Sequence, residues 1–236
     1  MSLIFTLAEN SLTLFVGMRP HTISRSHHNW DRLMRIVKGE EALPDDAELT
    51  RLLDVRQVIQ SNERIRVEGD ELLVDGRPVN SFLTHRIVEM SRAGIDVKPW
   101  LLFLDKLMQN PSKQVYDDLY TWLEVSNMPI NSDGRFWAYK KVDDNLQSYH
   151  SSPDGSHLQH YMGEYLSMPR REVDDRRENT CSTGLHFCGW EYLRHYHGYS
   201  GKVLALLVDP ADVVSIPTDY NHQKGRACGY TPMYVL

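Results

Sequence analysis

The chain has 236 residues, 41% of them hydrophobic and 25% charged, proportions that match an ordinary globular protein and exclude disordered, collagenous and coiled classes. A formal net charge of −6 argues against a phosphate-neutralising surface over the whole molecule, so nucleic acid is not the expected partner. The apolar runs at residues 100–104 and 203–208 fall far short of the ~20 residues that cross a bilayer, and any membrane contact is expected to be peripheral. Met1-Ser2-Leu3-Ile4-Phe5 has no charged opening, apolar segment or small-residue cleavage site of a secretion signal, which predicts the cytoplasm of the cell that makes the protein. In that reducing compartment Cys181, Cys188 and Cys228 read as thiols.

Residues 3–7 and 12–16 alternate or run apolar on either side of Glu9-Asn10-Ser11, which predicts an opening hairpin. Residues 29–37 and 45–60 carry apolar residues at helical spacing, the second stretch with an acidic first turn suited to the positive end of a helix dipole. A short β segment follows, with Ile65 and Val67 set against Leu72, Leu73 and Val74 around Gly69-Asp70. Ser81 can cap a helix carrying Leu83, Ile87 and Met90, which Ala93-Gly94 ends. Leu101, Leu104, Leu107 and Met108 make the next stripe, Asn110-Pro111-Ser112 breaks it, and Val115, Leu119, Trp122, Leu123 and Ser126 line a further helix.

The cluster of Pro, Asn, Ser, Asp and Gly at residues 129–134 is the strongest boundary, and it divides the chain into 1–130 and 131–236. Beyond it Phe136–Val142 reads as a strand, and residues 143–177 as a polar excursion with little regular structure. Then come Leu185–Cys188, a short helix over 190–197, a strong strand at Lys202–Val208, and β segments at 213–216 and 230–235. The expected fold is α+β: an N-terminal hairpin and short helices, packed with a C-terminal mixed-sheet part.

Several segments resemble the bacteriophage RIIB family, the rapid-lysis or lysis-inhibition B proteins of the T-even phages. They are Val67-Glu68-Gly69 with Leu72-Leu73, Asn110-Pro111-Ser112, the run from Asp133 through Val142, Met168-Pro169-Arg170, the run from Asn179 through Cys188, and the run from Asp209 through Asn221. The resemblance covers about residues 60–236 and extends more loosely to the first strand. It implies a protein made during infection that works with a larger RIIA-like phage protein, near the inner face of the host membrane. Delayed lysis and escape from prophage-encoded exclusion are the associated effects. The family's N-terminal helix-turn-helix-like extension has no counterpart here, so no DNA-binding role is expected.

Cys181, His186 and Cys188, with Cys228 further on, are zinc-type ligands, but their spacing is no recognised finger pattern. Strand alternation puts His186 and Cys188 on one face and leaves Cys181 unplaced; the expectation is small buried thiols, a hydrogen-bonded histidine and no metal. His150, His157, His160, His195 and His197 enrich the C-terminal half in histidine, but no nucleophile-elbow serine or cysteine accompanies them. Lys224 and Arg226 could grip an anion, although a turn with two exposed charges is the commoner reading. Arg170, Arg171, Arg176 and Arg177, interleaved with acids, could dock a partner through charge or form a solvated loop. Trp100, Trp122, Trp137 and Trp190 look like core, and Trp30, beside His27, His28 and Arg32, like an interface aromatic.

The segment from Thr183 through Phe187, the following aromatic helix and the strand Lys202–Val208 are faintly similar to part of ADP-ribosyltransferases. Those enzymes need an Arg or His on the first strand to hold the nicotinamide cofactor, where Phe136–Val142 offers Tyr139, Lys140 and Lys141; a shared fold without activity is expected. The favoured function is therefore a phage accessory protein that acts by contacts, without cofactor, on a RIIA-like phage protein or a host membrane or defence protein. The alternatives are an NAD- or nucleotide-binding enzyme and a zinc-stabilised module.

Overall fold

The computed structural model describes residues 3–25, 27, 29–53, 64–68, 71–79, 81–92, 95–151, 155–196, 200–219 and 222–236. The chain divides into two compact units, Met1–Leu101 and Leu102–Leu236.

The first unit opens with the expected hairpin, β1 (Phe5–Leu7) and β2 (Ser11–Val16), and adds a third strand, β3 (Arg19–Ser24). The sequence hides β3 because Arg-Pro-His carries no apolar alternation; Ile23 is its buried residue among those described, at 2% exposure. Leu12 and Leu14 project from β2 into a core completed by Leu33 and Ile36 of α1 (Trp30–Val37) and Leu49, Leu52 and Leu53 of α2 (Asp46–Leu53). The helices are tied at the surface by Arg32, which reaches Glu41 at 2.7 Å and Glu48 at 2.9 Å. Of the helix expected over 45–60, the part after residue 53 lies outside the described residues, as do Ala93-Gly94. The β segment is a meander of β4 (Ile65–Glu68), β5 (Glu71–Val74) and β6 (Arg77–Pro78). Ile65, Leu72 and Val74 of this meander are fully buried, as is Ile87 of α3 (Ser81–Arg92).

The division between the units falls inside α4 (Lys98–Met108). The turn at 129–134, where composition changes most, therefore lies within the second unit. The reason is packing: α5 (Lys113–Ser126) sends Trp122 into an aromatic triangle with Phe136 and Phe187, ring centroids 5.1–5.6 Å apart. Helix α5 is delimited by the Ser112 side chain, which accepts from the Val115 amide, and by Asn127 in the left-handed conformation. In the turn itself, Gly134 has φ +81°, and a Cβ there would meet the Leu102 and Phe103 backbone at 2.5 Å.

The second unit is built on a seven-stranded sheet in the order β10-β15-β12-β7-β11-β14-β13. Its strands are β7 (Phe136–Val142), β10 (Leu166–Ser167), β11 (Leu185–Cys188), β12 (Lys202–Val208), β13 (Val213–Ser215), β14 (Lys224–Ala227) and β15 (Gly229–Val235). Each neighbouring pair is antiparallel, not mixed as the sequence suggests. Parallel pairing needs a crossover, usually helical, and among the described residues no α-helix follows β7. The polar stretch 143–177 also has more order than expected: β8 (Gln147–Ser151) and β9 (His157–Gln159) form a hairpin, β10 joins the sheet, and Arg170–Glu172 forms a 3-10 turn. Its side chains bond to backbone where apolar residues would pack, for example His157 Nδ1 with the Ser148 carbonyl at 2.8 Å.

Candidate functional site

β11 pairs with β14 along its length but meets β7 at the register pair Cys188↔Tyr139. Beyond that pair, residues of both strands, including Lys140, Lys141 and His186, line a cavity of about 510 Å³. The β8–β9 hairpin contributes Ser148, Tyr149, His150 and Leu158, and the loop before β11 contributes Thr180 through Gly184. Tyr192 from the 3-10 helix Trp190–His195, Tyr196 just beyond it, and Lys224 of β14 also line it. Among the described residues three lysines but no Asp or Glu line this cavity. Near the exposed His150, the rings gather: Tyr149 meets Tyr196 edge-on at 6.1 Å, Tyr192 and Tyr196 stack at 6.5 Å, and His150 lies 5.9 Å from Tyr196.

Burial sets the protonation of the groups in and beside the cavity. It pushes the Cys188 thiol up to about 12, against the opposing pull of Lys140, and Cys188 Sγ donates to the Tyr139 carbonyl at 3.4 Å. Burial, then the charges of Lys140, Arg226 and Lys224, hold His186 neutral by lowering it to about 3. Burial also pulls the Lys140 ammonium down to about 8. A thiol so protonated is a poor nucleophile, and an imidazole so weakly basic is a poor proton acceptor near pH 7.

The wall at 174–184 is held from behind by cations. Arg226, fully buried in β14, donates to the carbonyls of Asn179 and Arg176 and to Ser215 Oγ. Lys224 donates to the Thr180 carbonyl and pairs with Asp219 at 2.7 Å. Asp174 closes the loop on its other side, its carboxyl held well below the usual range by hydrogen bonds from Ser182, Asn179 and Arg176.

The model of the family described as Bacteriophage T4 protein rIIB matches residues 6–234. The chain belongs to the bacteriophage T4 rIIB family. Protein rIIB of Enterobacteria phage T4 is 30% identical over 216 residues, which are 91% of this chain and 67% of that protein. No solved structure matches, and the faint likeness to ADP-ribosyltransferases is not confirmed.

Within this rIIB-family chain, segments that carry the sequence resemblance meet in space. The run 179–188 and β7 form much of the cavity. Asn110 donates to the carbonyls of Pro210 and Val213 at 2.8 and 2.7 Å, and Arg170 donates to those of Ala211 and Val213 and to Asn110 Oδ1 at 2.8–2.9 Å. Arg170 is therefore an internal fastener, and Arg177 turns inward to Asp118 at 3.3 Å. Arg171 and Arg176 keep exposed side chains.

The remaining candidates scatter. Lys224 and Arg226, expected in an exposed turn, lie in a strand at 7% and 0% exposure, and Arg226 is spent on loop carbonyls. His186 and Cys188 share the cavity wall with Cys181, whereas Cys228 Sγ sits 3.7 Å from Asp212 Oδ1 outside it. Among the described residues no group of His, Cys, Asp and Glu is placed to hold a metal. His157 bonds within the hairpin, His160 is buried against Tyr230, His195 ends a 3-10 helix, and His197 lies outside the described residues. Trp30 is partly buried and packs against the first unit's core. Trp122 is core as expected, but Trp190 is 53% exposed, its ring edge-on to Tyr139 at 5.1 Å. The sequence does not reveal the aromatic cluster, because its rings come from separate elements, nor that Lys140 faces a cavity, because charged residues in a strand read as solvent-facing.

Proposed function

We propose that this rIIB-family chain acts during infection through protein–protein contacts and not by catalysis, modulating lysis timing or countering host exclusion. Its partner is a RIIA-like phage protein or a host membrane or defence protein, met in the host cytoplasm or at the inner face of the host membrane. The carrying observation is the edge of the first sheet. β1 is an edge strand in the order β1-β2-β3, and all three of its residues are exposed, Phe5 at 43% and Leu7 at 48%, with Ile4 beside them at 64%. An apolar edge strand is a template onto which another chain can add. The protonated Cys188 and neutral His186 of the second unit favour the same non-catalytic reading.

The test is affinity purification of the tagged chain from infected cells early after infection, beside a Phe5→Lys/Leu7→Lys variant. Stoichiometric recovery of one phage or host protein, lost in the variant, supports the reading, as does a changed lysis time in phage carrying the variant. Equal recovery by both forms, or ADP-ribose appearing on host proteins only when the chain is present, overturns it.

A further inference from the structure

We infer that the cavity between β7, β11 and the β8–β9 hairpin binds a small phosphorylated ligand that carries an aromatic ring, of the nucleoside monophosphate class. This inference concerns the second unit and stands apart from the contact reading, which rests on the first.

Size, charge and shape each narrow the ligand. A volume of about 510 Å³ lies within the range of roughly 300–1,000 Å³ typical of small-molecule sites, and is far too small for a folded partner. The ring cluster of Tyr149, Tyr192 and Tyr196 offers faces and edges on which a flat ring can stack. Rings alone would suit an organic cation equally well. The lining decides against that: Lys140, Lys141 and Lys224 contribute to it and, among the described residues, no carboxylate does.

Lys140 has little within reach to compensate its charge. Its ammonium donates to the His186 carbonyl at 3.4 Å, a long bond, and among the described residues no carboxylate pairs with it. Lys224, by contrast, is already matched by Asp219 and serves as wall. A partly buried cation without a counter-ion is costly, and a bound phosphate would offset that cost with charge-assisted hydrogen bonds. The mouth lies beside the exposed residues His150, Thr180 and Cys181, so a ligand can enter without unfolding the loop.

Isothermal titration of the purified full chain with the nucleoside monophosphates, with the matching nucleosides and with ribose 5-phosphate tests this. Saturable binding of at least one monophosphate is expected, with its nucleoside and ribose 5-phosphate each weaker by about tenfold or more. Lys140→Met should weaken that monophosphate by a similar factor. Absence of binding by every monophosphate up to about 1 mM overturns the inference. So does equal binding of nucleoside or ribose 5-phosphate, or unchanged affinity in a folded Lys140→Met protein. The comparison of ligands on the unaltered chain decides the matter even if the variant does not fold.

Discussion

Lys140 Nζ lies 3.4 Å from the main-chain carbonyl oxygen of His186, across the opening between β7 and β11. That contact is weak for an ammonium partly withdrawn from water, and burial lowers Lys140 from its ordinary 10.5 to about 8, with Cys188 acting in the opposite sense. Between about pH 8 and 10.5 the unfolded chain binds more protons than the folded one, so stability rises with pH across that window. The cost of the charge is fully present below it. Lys140→Met should therefore raise stability at pH 7, by up to about 3 kcal/mol, and abolish the alkaline rise. Denaturant titrations at pH 7 and pH 10 check this; an unchanged or lower midpoint at pH 7 would show that the charge is compensated.

His160 should give an acid-side signature of opposite placement. Leu146 O can only accept, so Nδ1 donates to it at 2.9 Å, and Nε2 accepts from the Tyr230 hydroxyl at 3.0 Å. Burial, then Lys140, lowers its pKa from 6.5 to about 4. Here too the unfolded chain binds more protons within the window, so stability is lost as pH falls from 6.5 toward 4 and is unaffected above it. Melting curves of a His160→Gln variant should show a shallower acid slope than the unaltered chain. Tyr230→Phe should cost about 1–3 kcal/mol at pH 7 by stranding Nε2.

Arg226 supplies a third expectation. Replacing it with Met leaves the Asn179 and Arg176 carbonyls and Ser215 Oγ without their buried donor, which should destabilise the second unit by about 3–5 kcal/mol. Arg226→Lys should not restore stability, because an ammonium on a thinner stem lacks the planar fork. Limited proteolysis should then cut first between residues 176 and 184; resistance equal to that of the unaltered chain would count against the fastening role.

The cysteines should react in a set order. Cys181 is exposed, while Cys188 is 6% exposed and pushed up to about 12. Timed alkylation at pH 8 followed by mass spectrometry should label Cys181 first and Cys188 only as the chain unfolds. Early labelling of Cys188 would mean a thiolate in the cavity and would reopen a catalytic reading.

How much of this was legible beforehand varies by element. The stripe Val115, Leu119, Trp122 and Leu123 reads directly as a helix face, since a 3.6-residue period leaves the same mark in sequence whatever the helix packs on. The strand Lys202–Val208 is equally plain, buried from Leu204 onward. β3, β8 and β9 were not legible, because their polar residues are held by cross-strand and side-chain hydrogen bonds that leave no hydrophobic period. At the cavity, the shared face of His186 and Cys188 followed from alternation, but the company they keep did not. Trp190 looked like core because size and apolarity are local properties, whereas its exposure depends on where the 3-10 helix it opens lies.

The sequence by itself determined the rIIB family, the α+β class, and the helices and strands whose apolar periods are strong, since each is written in residue identities or short-range spacing. Tertiary structure alone decided that Arg226 and Arg170 are internal fasteners, that Cys228 sits apart from Cys181 and Cys188, and that lysines and tyrosines from separate elements surround one cavity. These outcomes depend on which backbone carbonyls lie within reach and which rings meet across the sheet. Distances between residues far apart in the chain are set only when strand register and loop path are fixed together, and no local pattern encodes them.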